Sequence, residues 1–397
     1  MEKKVLIITS VASMIDQFII PSIKLLQSMG YDVDVATNFE KGSTCTIEKI
    51  IELKETLFEM NVDAYHIDFD RKITNVKGVI NAIKQINEVL NGVRLTIHGT
   101  KKHNSGNYKF IHCHSPIGGV VGRLVGKKNK LKTIYTAHGF HFYKGSPIKN
   151  WLMFYPVEWI LSWLTDILIT INKEDYIQSI KHLHAKKTYY VPGIGIDIEK
   201  YKSNLIIRDK KRAELGFSSD DFLIFSVGEL NDNKNHQIII NAIGDLVSES
   251  PESYKKIHYI IAGKGELAEK LETSAADRNI NNQIHLIGFR TDISELQQAT
   301  DIFALPSKRE GLNVSLMEAI ACGKYCLASN IRGNQDLVID DEIGLLVDSL
   351  DLKGWKDGIL YAINRRRESN DSKRREIIQM ISSENVLNNL KEIYSGV

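Results

Sequence analysis

Short apolar runs alternate along the chain with longer segments whose apolar residues recur every three or four positions. Val5–Thr9, Asp32–Thr37, Ala64–Phe69, Phe110–His114, Thr133–Thr136 and Asp166–Ile171 are predicted strands, and most of the intervening segments carry the helical spacing. The series restarts after "YYVPGIGIDIEKY" (Tyr189–Tyr201) and the charged "RDKKRAELGF". Its second set of strands is predicted at Phe222–Val227, His258–Ala262, Gln283–Leu286, Asp301–Leu305, Tyr325–Ala328 and Gly344–Val347. Strand and helix in strict alternation mean βαβ units and a parallel sheet, so the pattern predicts two doubly wound α/β domains joined near residue 200. "HGTKKHNSGNYK" (His98–Lys109) breaks the alternation and reads as a loop or insertion. The chain shows no repeat at a fixed short period and no low-complexity tract.

One apolar segment admits two readings. "WLMFYPVEWILSWLTDILIT" (Trp151–Thr170) is interrupted by Pro156, Glu158 and Asp166, short of the roughly 20 apolar residues a bilayer span needs. Either it is a buried helix to about Trp163 followed by a strand, or its aromatics, beside Lys144, Lys149 and "GKKNKLK" (Gly126–Lys132), belong to a surface helix touching an anionic membrane face.

Composition narrows the class. With 397 residues, 43% of them hydrophobic, the chain has ample core for two domains. Lys+Arg at 51 against Asp+Glu at 49 is near balance, which argues against nucleic acid as partner. Cys45, Cys113, Cys322 and Cys326 have neither zinc-type nor disulfide-framework spacing, and "MEKKVLIITS" passes straight into a strand. A reduced, cytoplasmic setting without a signal peptide is expected.

In open α/β sheets ligands gather at the carboxyl ends of the strands. In the second half those positions hold "GELNDNKNH" (Gly228–His236), "GKGELAEKL" (Gly263–Leu271), "GFRTD" (Gly288–Asp292) and "PSKREGLNVSLMEA" (Pro306–Ala319), all rich in glycine, cations or both, as an anionic ligand requires. Gly263-x-Gly265-x-x-Ala268 formally matches a dinucleotide fingerprint. It lies mid-chain, and the N-terminal turn "TSVASM" that should carry such a motif has no glycine, so a tight strand-to-helix turn is the better reading. In the last segment Asn313 is a good N-cap for a helix stopping at Gly323, with Glu310 in the loop before it and Glu318 on its second turn. The helix N-terminus, with the N–H groups of Asn313, Val314 and Ser315, suits a phosphate. A diphosphate there between two carboxylates describes a nucleotide-sugar site. The competing reading has Glu310 as a helix cap and Glu318 in a surface ion pair.

"EGLNVSLMEAIACG" resembles the Glu-x7-Glu signature of the retaining glycosyltransferases of family four. The resemblance continues through "SVGELNDNKNHQIIINAI", "IIAGKGELAEKL", "IHLIGFRTDISELQQATDIFALPSKREGL" and "VPGIGIDIEKY", and through "HCHSPIGGVVGRL" and "TAHGFHFYKG" in the first half. Capsule and exopolysaccharide transferases of the CapM or EpsD type are closest in flavour. The resemblance implies the GT-B fold: two Rossmann-like doubly wound domains facing across a cleft. Residues 1–202 would bind acceptor, 203–375 would bind the donor, and 376–397 would form a C-terminal helix packing back toward the first domain.

By the same resemblance Glu310 contacts the transferred sugar, Glu318 holds the ribose, and Lys234 binds the diphosphate and stabilises the leaving group. Gly288, Phe289 and Arg290 line the base pocket, with Gly311, Leu312, Asn313, Val314 and Ser315 completing the donor site. His138 stands near the reaction centre, and Ser10, His114, His141, Tyr143 and Lys144 are the acceptor-side candidates. For His138 a buried histidine paired at a strand end is the competing reading, whereas for His112, His114 and His141 the structural reading is the better one. Family members commonly carry arginine where this chain has Glu229, so a second phosphate clamp must come from elsewhere, with Arg290 and Arg309 as candidates. The expected reaction is a metal-independent front-face transfer from a nucleotide diphosphate-sugar, a UDP-hexose or UDP-N-acetylhexosamine, to an undecaprenyl-diphosphate-linked glycan at the inner face of the cytoplasmic membrane. No cofactor is implied, and Asp32-Val-Asp34 and Asp68-Phe-Asp70 read as structural rather than as metal ligands. A sugar-nucleotide 2-epimerase or a non-catalytic sugar-nucleotide-binding subunit are the alternatives.

Overall fold

The computed structural model describes residues 3–41, 45–70, 75–100, 108–365 and 372–397. The chain divides into two compact units, Met1–Ile194 with Val386–Val397, and Gly195–Asn385. The first contains strands β1 (Lys3–Ile8), β2 (Tyr31–Thr37), β3 (Asp63–His66), β4 (Tyr108–His114), β5 (Lys132–Ala137), β6 (Ile167–Thr170) and β7 (Lys187–Tyr190). They form one sheet in the order β3-β2-β1-β4-β5-β6-β7, every pair parallel. The second unit contains β8 (Phe222–Val227), β9 (Ile257–Ala262), β10 (Ile284–Leu286), β11 (Ile302–Leu305), β12 (Tyr325–Ser329) and β13 (Gly344–Val347), ordered β10-β9-β8-β11-β12-β13 and again parallel throughout.

Continuous apolar runs mark strands covered by helices on both faces. Val5, Leu6, Ile7 and Ile8 are all fully buried, with Val5 and Ile7 in one core layer and Leu6 and Ile8 in the other. In each sheet the strand order reverses once, between β1 and β4 and between β8 and β11, which places a crevice at the carboxyl ends of those pairs.

Twelve strands lie where the hydrophobic pattern predicts them, to within a few residues. The thirteenth, β7, escaped the pattern. It is an edge strand with the sequence Lys-Thr-Tyr-Tyr, nowhere fully buried, so no apolar run announces it. Residues 101–107 of the expected insertion lie outside the described residues, while Tyr108 and Lys109 belong to β4.

The division between units falls at Gly195, earlier than residue 202. The short 3-10 turn Ile198–Tyr201 stays with the second unit because Tyr201 is buried there and Ser294 Oγ donates to Lys200 O (2.7 Å). The C-terminal segment is two helices rather than one. Ser372–Ile381 is tied to the second unit by Arg374 Nη1, which donates to Lys324 O (2.9 Å). From Ser383–Ser395, the side chains of Val386, Leu390, Ile393 and Tyr394 join the first unit's core.

The helix Ile148–Ser162 followed by β6 reproduces the helix-then-strand layout, but only one face of that helix is buried. No helix among the described residues is long and apolar enough to cross a membrane.

Candidate active site

The second unit gathers its chemistry at the β8/β11 switch point. The loop after β8 is fastened to the loop after β11 by Lys308 N donating to Asn233 O (2.8 Å), Asn233 Nδ2 to Arg309 O (3.1 Å) and Asn235 Nδ2 to Pro306 O (3.2 Å). These bonds place Lys234 beside Glu310, and Lys234 Nζ donates to Glu310 Oε1 at 2.7 Å. Both side chains keep partial exposure, so the pair lies in a crevice rather than in the core.

Glu310 therefore does not cap the following helix. Asn313 does, its Oδ1 accepting from Leu316 N (3.0 Å), and the helix Val314–Ala321 points the first-turn N–H groups of Val314 and Ser315 toward the same loop, next to Gly311 and Leu312. Glu318 is not in a surface ion pair either. Its carboxylate accepts the hydroxyl hydrogen of Tyr201, and burial raises its pKa above the usual carboxylate value.

The loops after β8 and β9 pass so close that a Cβ on Gly263 would stand 1.8 Å from Gly228 O, and one on Gly265 would stand 2.4 Å from Leu230 O. The Gly-x-Gly pattern is thus a backbone crossing beside the switch point. Gly288 is left-handed at φ +69, with its carbonyl accepting from Gly263 N (2.8 Å), and Phe289 is 72% exposed.

Arg290 differs from the expectation that it is free to clamp a phosphate. Its guanidinium forks onto Asp292 at 2.8 and 2.5 Å, and that bond holds Asp292 well below the ordinary carboxylate pKa. Arg309 is exposed, and Glu229 turns to Asn231 Nδ2 (2.9 Å).

Sequence reasoning passed over two residues here. Tyr201 is separated from Glu318 by more than a hundred positions. Arg332, in the loop after β12, donates Nε to Glu310 O (3.2 Å), and a Cβ on the adjacent Gly333 would stand 2.0 Å from Gly311 O. The only signal for Arg332 is a cation beside glycine just after a strand.

In the first unit the β1/β4 switch point brings Ser10 and Ser115 together, Ser115 Oγ donating to Ser10 Oγ (2.9 Å). Ser115 holds a positive φ of 64 and caps the helix Pro116–Asn129, a strained backbone of the kind found at functional sites.

His114 ends β4 and meets His138 after β5, Nδ1 to Nε2 at 3.2 Å. A π-helical turn, Ile15–Ile19, aims Phe18 at the His138 ring, with centroids 6.2 Å apart. Burial pushes the pKa of His138 down to about 4, and burial with the neighbouring rings holds His114 well below its ordinary value, so both rings are neutral at physiological pH. His112 is structural, bonded to Tyr394 Oη (3.0 Å) and Thr136 Oγ1 (2.8 Å). His114 Nε2 is buried without a hydrogen-bond partner, beside an open hollow of about 440 Å³ lined also by Phe18, Ser22, His138 and Leu390.

His141 stacks on Phe154 (4.5 Å), Tyr143 N donates to Ser146 Oγ (3.2 Å), and Lys144 N donates to Glu174 Oε1 (2.9 Å) with its side chain exposed. Asp34 is buried against Lys4 (2.7 Å), where burial lifts its pKa to about 6, and Asp68 takes up Gln85 Nε2 (2.5 Å). Among the described residues no three His, Cys, Asp or Glu side chains converge as a ligand set for a metal.

Residues 207–380 match the family described as "Glycosyl transferases group 1", and residues 4–172 match "Glycosyl transferase 4-like". A protein of Bacillus subtilis (strain 168) named as the glycosyltransferase EpsD is 33% identical over 87% of this chain and 84% of its own length. The chain belongs to the group 1, family-four-like glycosyltransferases.

A second relative, 29% identical over 64% of the glycosyltransferase and 66% of its own length, is the UDP-Gal:alpha-D-GlcNAc-diphosphoundecaprenol alpha-1,3-galactosyltransferase of Escherichia coli. In fold the chain is similar to HepE of Anabaena, solved in complex with UDP and glucose, at TM-score 0.73, 18% identity and full coverage of both chains. Sucrose-phosphate synthase of Thermosynechococcus elongatus gives TM-score 0.76 at 15% identity, over 100% of this chain and 99% of that one. The glycosyltransferase thus has the two parallel-sheet Rossmann-like domains of the GT-B fold.

Proposed function

We propose that this glycosyltransferase moves a hexosyl or N-acetylhexosaminyl group from a UDP-linked donor to an undecaprenyl-diphosphate-linked glycan, with retention, without a metal, at the inner face of the cytoplasmic membrane. The observation that carries the reading is the Lys234–Glu310 pair at the β8/β11 switch point, a cation and a carboxylate at the mouth of a helix N-terminus. Lys234 and the first-turn N–H groups of Val314 and Ser315 meet the diphosphate, and Glu310 receives hydrogen bonds from the sugar hydroxyls. Glu318, held by Tyr201, takes the ribose, and Gly288, Phe289 and Arg290 border the base. Uracil is supported by the UDP-galactose relative and by the UDP complex of HepE, and the lipid diphosphate acceptor by the former.

In the transfer the sugar–phosphate C–O bond breaks as the bond to the acceptor hydroxyl forms on the same face. The proton of that hydroxyl passes to the departing phosphate oxygen, giving UDP. Lys234 stabilises the charge that grows on the leaving diphosphate. Neutral His138, braced by His114 and Phe18, offers a nitrogen to the sugar or acceptor without adding charge. Ser10, His141, Tyr143 and Lys144 border the acceptor side.

A thermal-shift titration against UDP-, GDP-, ADP- and dTDP-sugars tests the donor assignment. UDP-sugars are expected to stabilise the protein by about 2.7 kcal/mol at a hundredfold excess over Kd. The shift should vanish in Glu318→Ala and shrink, without being abolished, in Lys234→Ala, whose main effect falls on kcat. A shift unchanged in both variants would remove the donor from this site.

Tyr201→Phe tests the ribose contact. Losing the hydroxyl that orients Glu318 should raise the donor KM about three- to tenfold with little change in kcat. An unchanged KM would mean Glu318 needs no support from Tyr201.

A further inference from the structure

The outward face of the helix Ile148–Ser162 is apolar. Ile148 is 76% exposed, Leu152 74%, Ile160 58% and Trp163, one residue past its end, 60%, with Met153 and Trp159 between them also exposed. Steps of four from Ile148 to Leu152, eight from Leu152 to Ile160 and three from Ile160 to Trp163 keep these side chains on one side of the helix. The opposite face is spoken for: Glu158 bonds Arg123, Leu161 and Ser162 are buried, and Trp151 and Tyr155 pack on Phe142. A helix facing water normally turns a polar side outward, and a contiguous apolar patch marks an interaction surface.

The charges around the stripe choose the partner. The helix runs from the carboxyl edge of the sheet to its amino edge, where it ends at Trp163. That edge also carries Lys127 and Lys128 in the last turn of the neighbouring helix Pro116–Asn129, Lys130, Lys132 at the start of β5, and Lys186 and Lys187 at β7, all exposed. The acid there, Asp166, is paired with Lys186 (2.6 Å). At the other end stand Lys144 and Lys149, both exposed, with Glu174 receiving Lys144 N. Trp163 stacks on His184 with centroids 4.1 Å apart, which holds one indole in place at the rim. Tryptophans beside an aliphatic stripe with lysines at both ends match the boundary of an anionic bilayer, where rings sit at headgroup depth and ammonium groups meet lipid phosphates.

We infer that the helix Ile148–Ser162 with Trp163 is the surface by which this glycosyltransferase docks on an anionic lipid bilayer, its stripe entering the headgroup boundary and the flanking lysines contacting lipid phosphates. The inference rests on the reading of a lipid-borne acceptor.

Co-sedimentation of the full chain with vesicles of phosphatidylcholine alone, or mixed with phosphatidylglycerol, tests it. Binding to the mixed vesicles alone, weakened by salt, is expected. The triple variant Leu152→Ser, Ile160→Ser, Trp163→Ser should bind at least about tenfold more weakly. Because Leu152 and Ile160 face mostly water and Trp163 gives up only its stack on His184, the variant should stay folded with a small drop in melting temperature and keep the UDP-sugar shift. The charge variant Lys127→Gln, Lys128→Gln, Lys130→Gln should weaken binding and flatten its salt dependence.

Wild-type protein that stays in the supernatant with anionic vesicles at low salt overturns the proposal, as does equal binding by the triple variant. Light scattering that finds a dimer abolished by the serine substitutions would assign the stripe to a second copy and overturn it as well. If docking fails while the UDP-sugar shift persists, the surface assignment alone is wrong. Vesicle binding without any nucleotide-sugar shift would instead sink the donor reading.

Discussion

Lys234→Ala is expected to lower kcat/KM for the donor by about 10²- to 10³-fold, the usual cost of removing one preorganised group that meets charge growing in a transition state. Most of the loss should fall on kcat, because the diphosphate carries more charge as the glycosidic bond breaks than it does in the bound donor. Folding should change little. Lys234 and Glu310 are partly exposed, and a pair in contact with water contributes about 1 kcal/mol or less. Steady-state kinetics with saturating acceptor, beside a melting curve, checks both halves. A variant within threefold of wild type would show that the leaving group is stabilised elsewhere, and Arg332, whose Nε sits on Glu310 O, would be the next residue to substitute.

Glu158→Ala should be the most destabilising single substitution proposed here, by about 3–5 kcal/mol, because it strands a buried charge. Arg123 is 1% exposed, its guanidinium 4.2 Å from the Tyr135 ring centroid and bonded to Glu158 Oε2 at 2.8 Å. Tyr135 Oη also donates to Glu158 (3.2 Å), so alanine would leave both an unpaired cation and an unpaired hydroxyl. The denaturant midpoint of the first unit reports the loss. The double variant Arg123→Met, Glu158→Leu should recover most of it, since exchanging both charges for apolar groups removes the desolvation cost with the attraction. A single variant as stable as wild type would mean that water reaches Arg123. The network also anchors the inner face of the helix whose outer face is apolar, so the single variant should weaken vesicle binding, and the double variant should not.

Much of the second unit was legible because its loops and caps are local in sequence. Short apolar runs against spacings of three and four mark the strands and helices, the Asn313 cap and the Gly323 stop bound the signature helix, and the spacing puts Glu310 in the loop and Glu318 on the second turn. β7 was not legible, since a half-exposed edge strand needs no apolar run. The Gly263-x-Gly265 pattern shows the limit of motifs: the sequence displays the glycines, but only the crossing of two loops shows what they make room for.

Sequence by itself determined the α/β class, the number of parallel sheets, and the places of Lys234 and Glu310 in post-strand loops and of Glu318 on the helix that follows, because each follows from residue spacing along one element or loop. The tertiary structure decided which distant groups meet: Tyr201 with Glu318, Arg332 with Glu310, His114 with His138, and Arg290 with Asp292 in place of a phosphate. It decided too that the helix Ile148–Ser162 leaves an apolar face outward. Periodicity reports that a helix has apolar faces, and only the packing of its neighbours determines which of those faces is covered.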